Sequence, residues 1–568
     1  MSTTVSVLGG VGLFLLGMSV MTAGLKGLAG SGLRTILSKA AATALSGVFW
    51  GAIVTLIVQS SSATTMTTIG LVSAGVLTFA QGLALVLGAN VGTTGTGWLV
   101  ALIGVRVSLT AAALPMIFVG ALIKLLGRGR VSAGGAALAG FALVLFGLTT
   151  LQQGMGELAE RLHPADLPAV LGTTWLSGLY GVLALVAVGL VMTAVMQSST
   201  AAIAVTLSAH YAGAVGLDQA CALIIGQNIG TATSSALAAI GASSTAKRLA
   251  LAYILFKMIA ALIALVLFPV IIPLLVRASN TIDGVTLLAG YHTAYNVVGV
   301  LVLLPVIDKF TRLVERILPE RGSPLTRYLD PAALVTPIAA VEAVRRTVAR
   351  ALGAMCESLA TALAAANPGA SVRTKKDVVS VAEGADALRQ AQEFMSEASG
   401  PPESEDEQRR LTSTLHALDH ASRLAETVGE EAEFGMPHGG SQDMCAAEMC
   451  AEAMRGAASV AADVVAALPA SSHASPIATA SGPRGPLVSE KKNLATEAST
   501  EQTLAQMENC AKALGELRKD HRSATLSSVA VGGLTVDEAI VRVDTVRRLE
   551  ALAYHAWRSA AHLVGRGV

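Results

Sequence analysis

Between Lys39 and Arg106 lie 66 consecutive residues, Ala40 to Val105, without one formal charge. A membrane span uses only about 20 residues, so this block holds more than one membrane-embedded segment. A second block, Leu167 to Leu217, runs uncharged for 51 residues. Neither block is a plain run of Leu and Val, because Gln, Ser, Thr, Asn and Gly interrupt both. Irregular backbone at membrane depth is tolerated only where protein buries it or where it lines a cavity. The remaining charge is divided unevenly: residues 1–305 hold 17 of the 79 charged residues (12 basic, 5 acidic), and residues 306–568 hold 62 (28 basic, 34 acidic). An embedded half followed by a soluble half is expected.

At 53% hydrophobic and 14% charged, with mean hydropathy +0.61, the whole chain is too apolar for a soluble protein of 568 residues. The net charge of +1 argues against a nucleic-acid binder, which needs a basic face in excess. The five cysteines are odd in number, and four of them (Cys356, Cys445, Cys450, Cys510) lie in the charged half. That argues against a disulfide framework or a CxxC zinc site and for a reduced cytosolic setting there. The apolar stretch Val5 to Leu25 has no basic residues before it and ends at Lys26 without a small-residue cleavage site. It reads as a first span, with a signal peptide as the alternative.

The two uncharged blocks are copies of each other. VQSSSATT (Val58 to Thr65) recurs as MQSSTAAI (Met196 to Ile203), and LGANVGTTGT (Leu87 to Thr96) recurs as IGQNIGTATS (Ile225 to Ser234). One and the same offset carries Gln59 to Gln197 and Asn90 to Asn228. Upstream, LFLLG (Leu13 to Gly17) with Gly24 matches LVLFG (Leu143 to Gly147) with Gly154 at a slightly shorter offset. Dissimilar motifs sharing one offset indicate internal duplication.

Charge assigns a side to each end. The segment from Gly24 carries Lys26, Arg34 and Lys39, whereas its partner from Gly154 carries Glu157, Glu160, Arg161 and Asp166. By the positive-inside rule the first is cytoplasmic and the second outside, so the repeats (about 8–126 and 138–307) are expected to be inverted. Lys124, Arg128, Arg130, Lys247, Arg248, Lys309, Arg312 and Arg316 then mark the inside. Each polar-studded block makes an odd number of crossings, as one re-entrant hairpin plus one span or as three spans. On either count the N-terminus is outside and the soluble half is cytoplasmic, in a multi-pass protein of the cell (inner) membrane.

After Pro305 the pattern changes to Ala-rich helical stretches near 333–366, 375–399, 404–432, 441–468, 490–520 and 535–565. A Pro-, Gly- and Ser-rich linker covers Ser471 to Pro486. The expected fold is all-α: a polytopic core over 1–307 with broken or re-entrant helices in two inverted repeats, a linker over 308–332, and a cytoplasmic helical bundle over 333–568.

Gln59, Ser60, Ser61 and Ser62, with Thr64 and Thr65 close behind, make a density of polar groups for which a lipid-facing helix has no use. A half-helix beginning there offers free backbone N–H groups and a positive dipole end to an anion. Its hydroxyls and any unwound carbonyls suit a small hard cation such as sodium. The bland alternative is that these residues only glue helices together, and it weakens when the same tetrad appears twice at matched spacing. The glycines of GANVG and GQNIG read as packing faces; Asn90 with Thr93, and Asn228 with Thr231, need partners in uncharged surroundings.

QSSSATT, GANVGTT, QSST, GQNIGT and YHTAYN (Tyr291 to Asn296) together resemble the bacterial type II sodium-dependent phosphate cotransporters over residues 8 to 307. The resemblance implies sodium-coupled movement of inorganic phosphate through an inverted-repeat core, with no cofactor and no metal beyond transported sodium. It implies that Gln59, Ser60, Ser61, Ser62, Thr64 and Thr65, with Gln197, Ser198, Ser199 and Thr200, bind phosphate and sodium, beside Asn90, Thr93, Asn228 and Thr231. The second copy departs at Thr200 to Ile203, which implies that most hydroxyl ligands come from the first. It departs further at Tyr253 and Lys257, where family members tend to carry a His-x-x-x-Asn pair like His292 and Asn296. Lys257, His292 and Asn296 are accessory candidates, with a lysine snorkelling to the interface as the alternative for Lys257. The tail more weakly resembles the PhoU-like helical domain through Leu415 to Glu426 and Val543 to Leu563. Asp419 and Asp544 are followed four residues on by Arg423 and Arg548 rather than by acids, so no metal is expected there.

The leading function is therefore a sodium-coupled phosphate transporter whose partners are phosphate, sodium and the lipid bilayer. The alternative is a phosphate sensor that signals through the tail, and a homo-oligomer or a signalling partner is left open. An enzyme is disfavoured, because no nucleophile-plus-base pair, HExxH or P-loop is present.

Overall fold

The computed structural model describes residues 3–40, 43–104, 110–161, 163–170, 175–240, 243–319, 323–365, 381–398, 404–429, 441–466 and 488–566. Among them there is helix and no strand. The chain divides into two compact units, Met1–Val72 with Leu77–Glu320, and Ser73–Val76 with Arg321–Val568.

In chain order the first unit contains α1 (Thr3–Ala40), α2 (Ala44–Val58), α3 (Ser61–Ser73), α4 (Phe79–Leu99), α5 (Thr110–Leu126), α6 (Arg130–Ala159), α7 (Trp175–Met196), α8 (Ser199–Tyr211), α9 (Leu217–Ala238), α10 (Ser244–Ala278), α11 (Gly284–Leu303) and α12 (Ile307–Ile317). Five described helices are long and apolar enough to cross a membrane: α1, α4, α6, α7 and α10. Large apolar side chains face outward along several helices of this unit, including Leu8 of α1, Phe49 of α2, Leu125 of α5, Val195 of α7 and Val266 of α10. So many exposed apolar side chains on apolar helices belong against lipid, and the unit is that of a multi-pass membrane protein.

Small residues decide how these helices pack. A Cβ on Gly10, Gly17 or Gly24 of α1 would fall within 3 Å of the backbone of Leu151, Val144 or Ala137 of α6. Partner numbers fall as glycine numbers rise, so α1 and α6 run antiparallel. The same contacts recur from the other helix, where Gly140, Gly147 and Gly154 press on Met21, Phe14 and Val7. The offset that takes Gly10 to Gly140 also takes Met21 to Leu151, and the other pairs exchange in the same way. The α1/α6 crossing therefore has a local two-fold relation. Likewise Gly51 meets Leu85 and Gly88 meets Val48 between α2 and α4, while Gly189 meets Leu223 and Gly226 meets Val186 between α7 and α9. Those positions correspond by the offset that relates Gln59 to Gln197.

Helices α4 and α9 form the centre. Leu83, Ala84, Leu85, Val86 and Leu87 are all fully buried, as are Ala220, Cys221, Ala222, Ile224 and Ile225. Both helices start alike: Gln81 Oε1 accepts from Thr78 N at 2.9 Å, and Gln219 Oε1 accepts from Gly216 N at 2.9 Å. Each reach-back satisfies a backbone donor that the first turn leaves open.

The second unit contains α13 (Pro337–Ala365), α14 (Val381–Ser396), α15 (Glu405–Gly429), α16 (Ser441–Ala466), α17 (Val488–Ala530) and α18 (Val536–Leu563). They bury Leu352, Met355, Leu388, Leu424, Met454, Leu514, Leu549 and Leu552 in a common helical core. Helix α17 runs ten residues past its expected end at 520, because Ser and Thr at 523–528 do not stop a helix that packs along α18. The linker expected at 471–486 lies outside the described residues.

Candidate functional site

Helix α2 ends at Val58 because Gln59 turns into the left-handed region (φ 56°), and α7 ends at Met196 because Gln197 does the same (φ 51°). Among the described residues these are the two non-glycine positions with positive φ. An L-residue there costs roughly 1–2 kcal/mol, so the side chain must contribute something glycine would not. In both copies the amide closes the same loop. Gln59 Nε2 donates to Leu56 O at 2.5 Å, and Gln59 Oε1 accepts from Thr96 Oγ1 at 2.7 Å. Gln197 Nε2 donates to Ala194 O at 2.5 Å, and Gln197 Oε1 accepts from Ser234 Oγ at 3.1 Å.

The following helix starts alike in both copies. Ser60 Oγ accepts from Ala63 N at 3.3 Å, and Ser198 Oγ accepts from Ala201 N at 3.2 Å. The N–H groups of the first turns of α3 and α8 have no intrahelical acceptor, as at any helix start.

Both helix starts line one cavity of about 590 Å³. Gln59, Ser60, Ser61, Ser62 and Thr65 form one side, and Gln197, Ser198, Ser199 and Thr200 another; Thr231, Ser234, Ser235 and Tyr253 add further polar groups, and Leu15, Met18, Met66, Ile69 and Met196 are among the apolar side chains between them. Ser19 and Thr22 of α1 add hydroxyls, so each repeat supplies six from serine and threonine, a more even division than the QSS motifs alone imply. Among the described lining residues Lys26 is the one charged side chain. Two positive helix ends, a lysine and twelve serine and threonine hydroxyls offer donors suited to an anion.

The remaining candidates lie behind that wall. Thr64 is buried and bonded to Thr55, with the two hydroxyl oxygens 2.9 Å apart. Thr93 Oγ1 is spent on Ala89 O at 2.9 Å. Asn90 and Asn228 meet in the core at Asn296, whose Oδ1 accepts from Asn90 Nδ2 at 2.5 Å and from Asn228 Nδ2 at 3.1 Å. Lys257 Nζ donates to Oδ1 of both Asn90 and Asn228. Lys257 is 1% exposed and does not snorkel to the interface. His292 is buried one turn before Asn296, whose Nδ2 donates to His292 O at 2.7 Å.

Sequence reasoning missed Thr96, Ser234 and Lys26. The first two close the repeated motifs LGANVGTTGT and IGQNIGTATS at matching positions, and that correspondence was the available signal.

A sequence profile of the family described as Na+/Pi-cotransporter matches residues 13–153 and 166–280. The chain is 30% identical over 314 residues to "Uncharacterized protein YqeW" of Bacillus subtilis (strain 168), covering 54% of this chain and 96% of that one. It is 29% identical over 442 residues to "Putative inorganic phosphate export protein YjbB" of Escherichia coli (strain K12), covering 76% and 78%. A protein of the same name from Salmonella typhimurium is 30% identical over 367 residues, covering 62% and 64%. No solved structure matches.

Proposed function

This chain belongs to the Na+/Pi-cotransporter family, and on that premise we propose that it moves inorganic phosphate across a membrane by alternating access with sodium as the coupling ion. The observation that carries the reading is the meeting of two matched helix starts, one from each repeat, in one cavity whose charged lining side chain is Lys26. Phosphate would sit between the N-termini of α3 and α8, held by their free N–H groups and by Ser60 to Ser62, Ser198, Ser199 and Thr200. Sodium would use the neutral oxygens beside it, since residues 40–156 contain no Asp or Glu.

The antiparallel α1/α6 pair, whose contacts exchange under a single offset, supports an inverted relation between the repeats. Exchanging the arrangements of two such halves converts an inward-open cavity into an outward-open one. At 15 residues, α2 extends about 22 Å and falls short of the roughly 30 Å hydrocarbon core, which supports a re-entrant α2–α3 segment. Under the positive-inside assignment the tail is cytoplasmic and the Lys26 end of the cavity faces the cytoplasm. Two relatives are named for phosphate export, so efflux is the proposed net direction where the phosphate gradient points outward. The tail is proposed as a PhoU-like regulator.

Uptake of labelled phosphate into proteoliposomes of the purified protein under an imposed sodium gradient tests the reading. Sodium-dependent uptake is expected; phosphate binding without flux would make the protein a sensor instead.

A further inference from the structure

We propose that Lys257 is a tethered cation that fills an ion site built from one asparagine of each repeat, so that phosphate moves with one sodium fewer than it would without the lysine. The inference rests on the sodium-coupled reading above.

Asn90 and Asn228 occupy the same position of the two copies, in GANVG and GQNIG. Their amides are oriented by a chain of hydrogen bonds that begins at a backbone carbonyl. His292 O holds Asn296 Nδ2, which turns Asn296 Oδ1 toward the other two residues, where it accepts from both Nδ2 groups. Both Oδ1 atoms are thereby left for a single point, and Lys257 Nζ occupies it. Neutral oxygens converging from two repeats are what a small hard cation takes, and an ammonium, with three donors and no acceptor, matches them. The face of the Tyr253 ring lies 5.2 Å from Nζ and adds to the cation's support.

Two further features separate this lysine from a packing residue. Its acceptors are amide oxygens rather than carboxylates, and a buried cation held only by dipoles at membrane depth is costly and marks function. The corresponding position in the first repeat is Val119 on α5, which is exposed, so the cation is a one-sided addition to a duplicated frame. The cluster also backs onto the cavity: Tyr253, one turn before Lys257, lines it, and Thr231, also in the lining, donates to Asn228 O at 2.6 Å. A charge there offsets that of a phosphate in the cavity and takes the place of an ion that would otherwise enter with it.

The test compares wild type with Lys257→Arg, Lys257→Met and Lys257→Asn as purified full-length proteins in proteoliposomes, using radiolabelled sodium and phosphate together. Lys257→Arg should keep the wild-type sodium-to-phosphate ratio, while Lys257→Asn and Lys257→Met should each gain one sodium per phosphate. Equal ratios in all four proteins would overturn the proposal and leave Lys257 as a clamp between the repeats. If the neutral variants carry no phosphate, thermal unfolding in sodium chloride against choline chloride decides the matter. Lys257→Asn should be stabilised by sodium more strongly than wild type, by the one added ion site, and an identical sodium response in both would overturn the proposal. Absence of phosphate flux in wild type would remove the transport reading, while the sodium titration of Lys257→Asn would still report on the ion site.

Discussion

Gln59 and Gln197, equivalent positions of the two copies, hold the same left-handed backbone conformation and tie it off with the same pair of hydrogen bonds. Each ends one helix and aims the N-terminus of the next into a shared cavity. Strain of this kind persists where the surroundings over-determine it, and it clusters at functional sites.

Glycine and alanine at Gln59 should therefore behave differently. Gln59→Gly removes the side chain but relieves roughly 1 kcal/mol of backbone strain, so its melting temperature should match or exceed that of Gln59→Ala. Phosphate flux should fall by about tenfold or more in both, because the amide is lost in both. Thermal unfolding in detergent, paired with flux in proteoliposomes, separates the two effects.

The helix crossings make a second prediction. A Cβ at Gly226 would overlap the backbone carbonyl of Val186, whereas one at Gly290 meets nothing within 4 Å. Gly226→Ala should cost about 1–3 kcal/mol through overpacking, and Gly290→Ala should be neutral or gain up to about 1 kcal/mol of helix propensity. Comparable thermal shifts for the two would contradict the packing described for α7 and α9.

In the second unit, His416 and His420 of α15 face His555 and His562 of α18. His420 Nδ1 lies 3.0 Å from His555 Nδ1, and His416 and His420 both stack on His562. Burial, then the neighbouring imidazoles and Arg558, holds His420 down to about 4. Burial, then Arg558 and His416, does the same for His562, and burial with Arg423 lowers His555. The folded bundle keeps these rings neutral where the unfolded chain, with a histidine value near 6.5, takes up protons. Stability is therefore level above pH 6.5 and falls as pH drops toward 4. Glu342 does not confuse this window: burial raises its carboxyl, but Arg345 and Arg346 outweigh that and hold it below the usual range, so its contribution is lost only at lower pH. Melting of the tail, followed in the full-length protein between pH 7.5 and 5, should show the decline. A His420→Gln, His562→Gln variant should flatten it.

Much of this architecture was legible in the sequence, because a duplicated tetrad in an uncharged block leaves few physical options. The QSS regions are brought together as their spacing suggests, and the tail helices fall close to their periodic segments. The position of Lys257 was not legible, since a lysine nine residues past Arg248 can either reach the interface or turn inward. What decides it is the convergence of Asn90, Asn228 and Asn296, three residues from different helices that no local pattern relates. Thr96 and Ser234 escaped notice because a hydroxyl late in a Gly- and Thr-rich helix reads as packing until the amide it holds is seen.

The tail supplies a fourth prediction. The first unit closes at Glu320 with its own core, so truncation after Pro319 should leave sodium-dependent phosphate flux measurable while changing its rate. Complete loss of flux in a truncated protein that still reaches the membrane and binds phosphate would place the tail within the transport cycle.

Counterflow of labelled phosphate through the purified protein, in sodium and in choline, with Gln59→Ala and Gln197→Ala beside wild type, reaches the central claim most directly. The two-copy site predicts sodium-dependent counterflow in wild type and its loss in each variant alone, since each amide fixes the helix break that aims its own copy's N-terminus into the cavity and neither copy can do this for the other. Near-normal sodium-dependent counterflow in either variant would contradict it.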